Sequence, residues 1–233
     1  MFKVEAVKKI TVTEQIMEQI ANLITSRQIQ GGDQLPNERD LAVQFNVTRG
    51  RVREALRALS LVGLITIKAG EGSFVNKQER PIPAETIVWL FHNEIHNLQE
   101  VYAARKLIES EVYLSASQQI TDDEMGRLSE FLQTLVKSKS IKDPTKFLHL
   151  LDEIDLYIGE ICGNQIYAKL MQTIVYMRRE TSIKLLSVPG AIESSSKSRS
   201  SMLHALQSKD CELMQKATQA FFDNLQNFYK KIG

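Results

Sequence analysis

Arg49, Arg53 and Arg57 step by four residues, with Arg51 at their flank. Arginines four apart share one side of a helix. A guanidinium presents a planar fork of N–H donors that fits a phosphate, or O6 and N7 of a guanine. The chemistry such a row offers is recognition of an anion or of nucleic acid, not bond making. The ordinary alternative for any basic row is a solvated face. Val52, Ala55, Leu56 and Leu59 fall at i, i+3, i+4 and i+7 of the same stretch. They form a second, apolar face that has to be packed. The pattern predicts a helix over about 49–61 with one side buried and another basic.

The segments on either side must position that helix. Pro36 and Asn37 stop what precedes them, and Asn37 suits an N-cap because its side chain accepts from an unpaired N–H of the first turn. Asp40 adds negative charge at the positive end of this shorter helix, and Leu41, Ala42 and Phe45 supply its apolar side. Asn46 and Val47 make a turn, and Thr48 is the expected N-cap of the basic helix. After Gly63 the pattern changes to strand: residues 64–68 and 73–75 are β-rich, and Ala69-Gly70-Glu71-Gly72 joins them with glycines suited to a hairpin loop. The order is helix, tight turn, basic helix, hairpin. It is a winged helix-turn-helix, a unit that places its second helix in the major groove of DNA.

The segment from about Thr11 to Val75 resembles the DNA-binding domain of the GntR family of bacterial transcription regulators. The matching residues are Leu35-Pro36, Glu38-Arg39, Leu41-Ala42, Val47-Thr48-Arg49, Val52-Arg53-Glu54-Ala55-Leu56, Leu59, Gly63-Leu64, Gly70, Gly72 and Phe74-Val75. The resemblance implies operator contacts from Arg39, Thr48, Arg49 and Arg53, with the wing tip near Gly70 approaching the minor groove. Gly50-Arg51 stands where small hydroxyl residues are frequent in the family. Gly50 offers no side chain and weakens the helix start by roughly 0.5–1 kcal/mol against alanine, whereas Arg51 adds a contact. Glu71 puts a negative charge at the wing tip.

Composition agrees with a globular regulator. The chain has 233 residues, 43% hydrophobic and 24% charged, with a formal net charge of +1. That charge is unevenly spread. Residues 1–76 carry 10 basic and 8 acidic side chains, and residues 77–233 carry 19 and 20. From Thr48 to Leu61 there are four Arg against one Glu, a local patch suited to phosphate. Two cysteines, Cys162 and Cys211, and a start without a long apolar core predict a cytoplasmic protein with free thiols. No stretch is long and apolar enough to predict a membrane span. Prolines 81 and 83 within a charged run mark a linker. The predicted domains are a DNA-binding domain at 1–76, a linker at 77–83 and an all-helical domain at 84–233.

Beyond the linker the chain reads as helices: about 84–93, 97–118, one capped by Thr121 with Glu124 at capping-box spacing, one opened by Asp143-Pro144 and ended at Gly163, 164–186, 191–208 and 210–232. Six or seven helices predict an antiparallel bundle. The fold class is therefore mostly α, a winged helix-turn-helix with a small β-wing followed by the bundle.

This second half resembles the effector domain of the FadR subgroup of the GntR family. The resemblance rests on residues 101–109 (VYAARKLIE), on Gly163-Asn164-Gln165-Ile166-Tyr167, and on Ala205-Leu206 followed by Asp210. Many members of that subgroup hold a divalent metal with one Asp and three His. The corresponding positions here are Leu151, Asp155, Arg199 and about Phe221, so the family's metal set is absent and no metal or other cofactor is expected. His149, Asp152 and Asp155 on one helix face, and the pair His92 and His96, lack the further ligands a site requires.

With no metal, an anionic effector needs a cationic anchor. The resemblance points to Arg105, whose alternative partner is Glu109 at i+4; Tyr176, Arg178 and Arg179 are further candidates. The effector expected is a small organic acid or an acyl-coenzyme A. No nucleophile–base set or phosphate loop is present, so no enzyme is expected. The resemblance implies a homodimeric repressor on a palindromic double-stranded operator. The alternative is a helical ligand-binding or protein-interaction module with a vestigial winged helix.

Overall fold

The structure is a computed structural model that describes residues 10–77, 82–137 and 143–232. The chain divides into two compact units, Met1–Thr86 and Ile87–Gly233. Most of the predicted linker, residues 78–81, lies outside the described residues.

The first unit runs α1 (Val12–Thr25), α2 (Glu38–Gln44), α3 (Arg49–Leu61), β1 (Ile65–Lys68) and β2 (Gly72–Val75). Helix α1 is not among the predicted elements, although its start carries a complete capping box: Thr11 accepts from the Glu14 amide while Glu14 accepts from the Thr11 amide. Ile16 and Ile20 of α1 pack with Leu35, Leu41, Val52, Ala55, Leu56, Leu59, Ile65 and Val75 into one core. Asn37 caps α2 by accepting from the amides of Arg39 and Asp40, 3.0 Å each. Asn46 takes a positive φ of 52° to turn the chain between α2 and α3. The hairpin pairs Ile65 with Val75 and Lys68 with Gly72. Gln34 bridges to Phe74 and donates from Nε2 to the Glu71 carbonyl at 2.7 Å. Gly72 takes a φ of 118°, which side-chain-bearing residues rarely adopt, and this favours glycine there.

The helix α4 (Ala84–Leu90) follows, shorter than the sequence predicts: it stops at Leu90, and residues 91–96 form turns. The second unit continues with α5 (Leu98–Gln119), α6 (Asp122–Lys137), α7 (Pro144–Ile161), α8 (Gln165–Met177), α9 (Arg179–Leu186), α10 (Ala191–Gln207) and α11 (Cys211–Ile232). Short polar links carry their caps. Asp143 accepts from Thr145 and Lys146, Asn164 from Ile166 and Tyr167, and Asp210 from Glu212 and Leu213. Helix α5 packs on α7, α8 and α11, and α10 packs on α11 and α6. Together they bury Val112, Leu128, Phe147, Ile154, Ile158, Leu203, Leu206 and Phe222.

One correction concerns residues 164–186, predicted as a single helix. The structure breaks them at Arg178 into α8 and α9. No Pro or Gly marks the break. The turn coincides with the buried guanidinium of Arg178, which reaches across to Asp152 and Asp155 of α7. Eight helices, α4–α11, are present after the wing among the described residues, one more than the upper expectation.

Candidate nucleic-acid interface and buried arginine site

Helix α3 buries Val52, Ala55, Leu56 and Leu59 and leaves Arg49, Arg51, Arg53 and Arg57 exposed. Arg39 is exposed on α2. Arg53 is held by Glu38 of α2 through a two-pronged pair, Nε–Oε1 at 2.9 Å and Nη2–Oε2 at 2.6 Å. Hydrogen bonding to Arg53 lowers the Glu38 carboxyl below its ordinary value, with Arg49 and Arg57 adding to the pull. The pair joins α2 to α3 at the solvent-exposed surface. Arg51 pairs with Glu54 at 3.3 Å. Among the described residues, no acidic side chain lies within ion-pairing distance of Arg39, Arg49 or Arg57.

Thr48 stands at the N-cap position of α3, yet its side chain makes no capping hydrogen bond. The first turn is closed by backbone instead, with the Arg51 amide donating to the Thr48 carbonyl at 3.1 Å, and the Thr48 hydroxyl is left at the exposed end. At the wing tip Gly70 is exposed with φ 78°. Lys68 sits over the Phe74 ring at 5.0 Å and meets Glu71 at 3.3 Å.

The helical unit holds a different set of arginines. Arg105 (α5), Arg178 (the α8–α9 turn) and Arg199 (α10) are 3%, 1% and 1% exposed. Their carboxylate partners Glu109, Asp152 and Asp155 are buried too. Arg105 donates to Glu109 at 2.7 Å, which is the internal pair weighed against a ligand contact in the sequence. Arg178 bridges Asp152 at 2.9 Å and Asp155 at 2.8 Å. Arg199 grips Asp155 with both terminal nitrogens, at 2.5 and 2.8 Å, and reaches Glu109 at 3.4 Å. Tyr113 accepts from Arg199 and donates to Asp155, 2.7 Å each. The partly exposed Arg179 adds a second guanidinium to Asp152 at 3.0 Å. Burial opposes charge on Glu109, but Arg105, Arg199 and Arg178 outweigh it and hold the carboxyl below its usual range. Burial prevails at Asp155 and pushes its carboxyl up against the pull of Arg199 and Arg178.

Arg105, Arg178 and Arg199 all line one recess, with Leu151, Leu185, Phe221, Leu225 and Phe228 among its apolar wall and Ser194, Ser198 and Asn224 among its polar one. The recess is partly open, and its space of about 490 Å³ includes solvent at the mouth. Tyr176 does not line it; that ring stacks under Arg179 at 5.0 Å. The sequence marks Arg199 only as a position where the family's metal ligand is absent. The signal that could have found it is its place on the buried side of α10 with Ser196, Met202, Leu203 and Leu206.

The four positions that correspond to the family's metal ligands do converge. Leu151, Arg199 and Phe221 line the recess, and Asp155 is bound to Arg199. Their chemistry does not fit a metal. Leucine and phenylalanine have no donor atom, and a guanidinium on the only carboxylate opposes a second cation. Asp152 and Asp155, the acids of the other conceivable set, are likewise engaged by Arg178, while His149 is exposed. Among the described residues no three His, Cys, Asp or Glu side chains are grouped to hold an ion.

A winged helix-turn-helix unit followed by an all-helical unit is the class this geometry defines. Residues 12–75 match the model of the bacterial regulatory proteins, gntR family, and residues 100–224 match the FCD domain. The chain belongs to the gntR family, in the group that carries an FCD domain. It is 31% identical over 136 residues to the HTH-type transcriptional regulator YcbG of Bacillus subtilis, covering 58% of this chain and 57% of that one. It is 31% identical over 166 residues to the HTH-type transcriptional repressor NanR of Salmonella newport, covering 67% and 60%. The chain thus spans about three-fifths of the length of the curated relatives it matches. In fold it is similar to Streptococcus agalactiae GntR, with a TM-score of 0.69, 21% identity and coverage of 92% and 99%. E. coli McbR/YncC gives a TM-score of 0.52 at 17% identity, with coverage of 96% and 100%. No helix among the described residues is long and apolar enough to cross a membrane.

Proposed function

We propose that this chain is a ligand-responsive transcription regulator of the FadR type, acting as a homodimeric repressor in the cytoplasm on a palindromic operator. The observation that carries the reading is the exposed row Arg49, Arg53 and Arg57 on the second helix of a winged helix-turn-helix, with its apolar face fully spent on the core. That helix enters the major groove, where Arg49 and Arg53 meet bases or phosphates and Arg39, Thr48 and Arg51 meet the backbone beside them. The wing at Gly70 lies along the adjacent minor groove. Two such units, related by a two-fold axis, read the two half-sites. The helical unit takes a small organic anion, and the operator is released or retained according to which state that ligand binds better. NanR relatives are named as repressors, which supports the sign of the regulation.

The test is selection of genomic fragments by the purified protein, followed by fluorescence anisotropy on the selected site with Arg49→Ala and Arg53→Ala. Specific affinity falls roughly 5- to 150-fold in each, consistent with loss of a base contact. Unchanged affinity in both variants sinks the assignment of α3. Retention on DNA that is indifferent to salt and sequence would instead favour a protein-interaction module.

A further inference from the structure

We infer that the recess between Arg105, Arg178 and Arg199 is a metal-independent site for a single carboxylate, with Arg178 and Arg199 taking the place of the ion at the recess floor. This deepens the proposed effector reading and rests on it.

Three observations converge. First, Arg178 and Arg199 each carry a buried Nε–H with no hydrogen-bond partner, the only such side-chain atoms among the described residues. An unmade buried hydrogen bond is costly, and both side chains line the recess. Glu109 Oε1 stands 3.8 Å from Arg178 Nε, too long for a hydrogen bond. An anionic ligand in the recess would offer acceptors to donors that the protein leaves unpaired. Second, the buried guanidinia of Arg105, Arg178 and Arg199 are matched one for one by Glu109, Asp152 and Asp155, and the partly exposed Arg179 on Asp152 adds a fourth cation at the edge, so the network carries no net negative charge to repel one carboxylate. Third, the remaining wall is mostly apolar, with Leu185, Leu225 and Phe228, and its polar edge is Ser194, Ser198 and Asn224, whose amide already bonds both hydroxyls. A monocarboxylic acid with a short carbon body, bearing at most a hydroxyl or two, matches the charge and the wall. A di- or tricarboxylate brings too much charge, and the phosphates of a coenzyme A thioester bring more charge and more bulk.

Thermal unfolding of the full chain after exhaustive dialysis against EDTA tests this, with butanoate, 3-hydroxybutanoate, lactate and benzoate as probes. Succinate, citrate, inorganic phosphate, octanoyl-coenzyme A, Zn²⁺ and Mn²⁺ run beside them. At least one monocarboxylate raises the midpoint by about 5–10 °C at a hundred times its Kd, with no added metal. Arg199→Gln abolishes the shift. Because that variant disturbs a buried network, Leu225→Trp is the second: it fills the recess without touching an ion pair, folds, and loses the shift. A response only to Zn²⁺ or Mn²⁺, only to polyanions or the thioester, a response that survives in Leu225→Trp, or no response to any monocarboxylate at 10 mM concentrations (~100-fold above an ordinary effector Kd) overturns the inference. Operator binding by the same sample separates the two readings. Intact DNA binding with no carboxylate response rejects the site alone, whereas failure to bind DNA rejects the regulator.

Discussion

On α3 the arginines stand in water, and Arg53, the one with a two-pronged carboxylate partner, is still half exposed. In the helical unit Arg105, Arg178 and Arg199 are at most 3% exposed and all are paired. Identical side chains therefore have opposite consequences. An exposed pair is screened, contributes little to stability and leaves its cation free to exchange partners with a phosphate. A buried pair has lost its hydration, so removing either member strands the other at high cost. The first arrangement suits the reversible binding of DNA proposed above. The second suits a framework whose fit for a ligand depends on every member being in place.

The comparison breaks most visibly at Asp155, which serves Arg178, Arg199 and Tyr113 together. Asp155→Ala costs about 3–5 kcal/mol of stability in urea unfolding, whereas Glu38→Ala on the DNA-binding unit moves the thermal midpoint by a few degrees at most. Equal effects in the two variants would show that burial does not separate the two sets. Next in size are Arg49→Ala and Arg53→Ala, with the 5- to 150-fold loss of operator affinity given above and thermal midpoints near wild type.

Acid sharpens the comparison further. The pKa of Glu109 lies below that of an unfolded glutamate, about 4.3. Its contribution to stability is therefore complete above that value and lost as pH falls through the lower folded value. The stability gap between wild type and Glu109→Gln is full at neutral pH and narrows below pH about 4 in denaturant titrations; a gap that widens toward acid contradicts the direction assigned. The smallest effect belongs to the wing. Glu71→Ala frees Lys68, raises DNA affinity by roughly two- to threefold, and steepens the salt dependence by about one unit, measured by anisotropy at several salt concentrations.

Local chemistry made the first unit legible. Asn37 as a cap, the apolar spacing from Val52 to Leu59 and the glycines of the wing all act within a few residues, so pattern reading reaches them. Helix α1 stands outside the predicted elements, although the capping box of Thr11 and Glu14 at its start is a local signal of the same kind. Arg105, the anchor the resemblance points to, lines the recess, but its guanidinium is taken by Glu109. Tyr176, a further candidate, lies against Arg179 instead.

What the sequence by itself determined is the fold class, the two-part organisation and which face of α3 is basic, because periodicity and capping are properties of contiguous residues. Only the tertiary structure decided that α8 and α9 part at Arg178, that Arg199 shares Asp155 with it, and that the four family metal positions meet as Leu151, Asp155, Arg199 and Phe221 around one recess. Those pairs join residues tens of positions apart. Their geometry follows from how the helices pack, and their strength follows from the loss of water that packing brings.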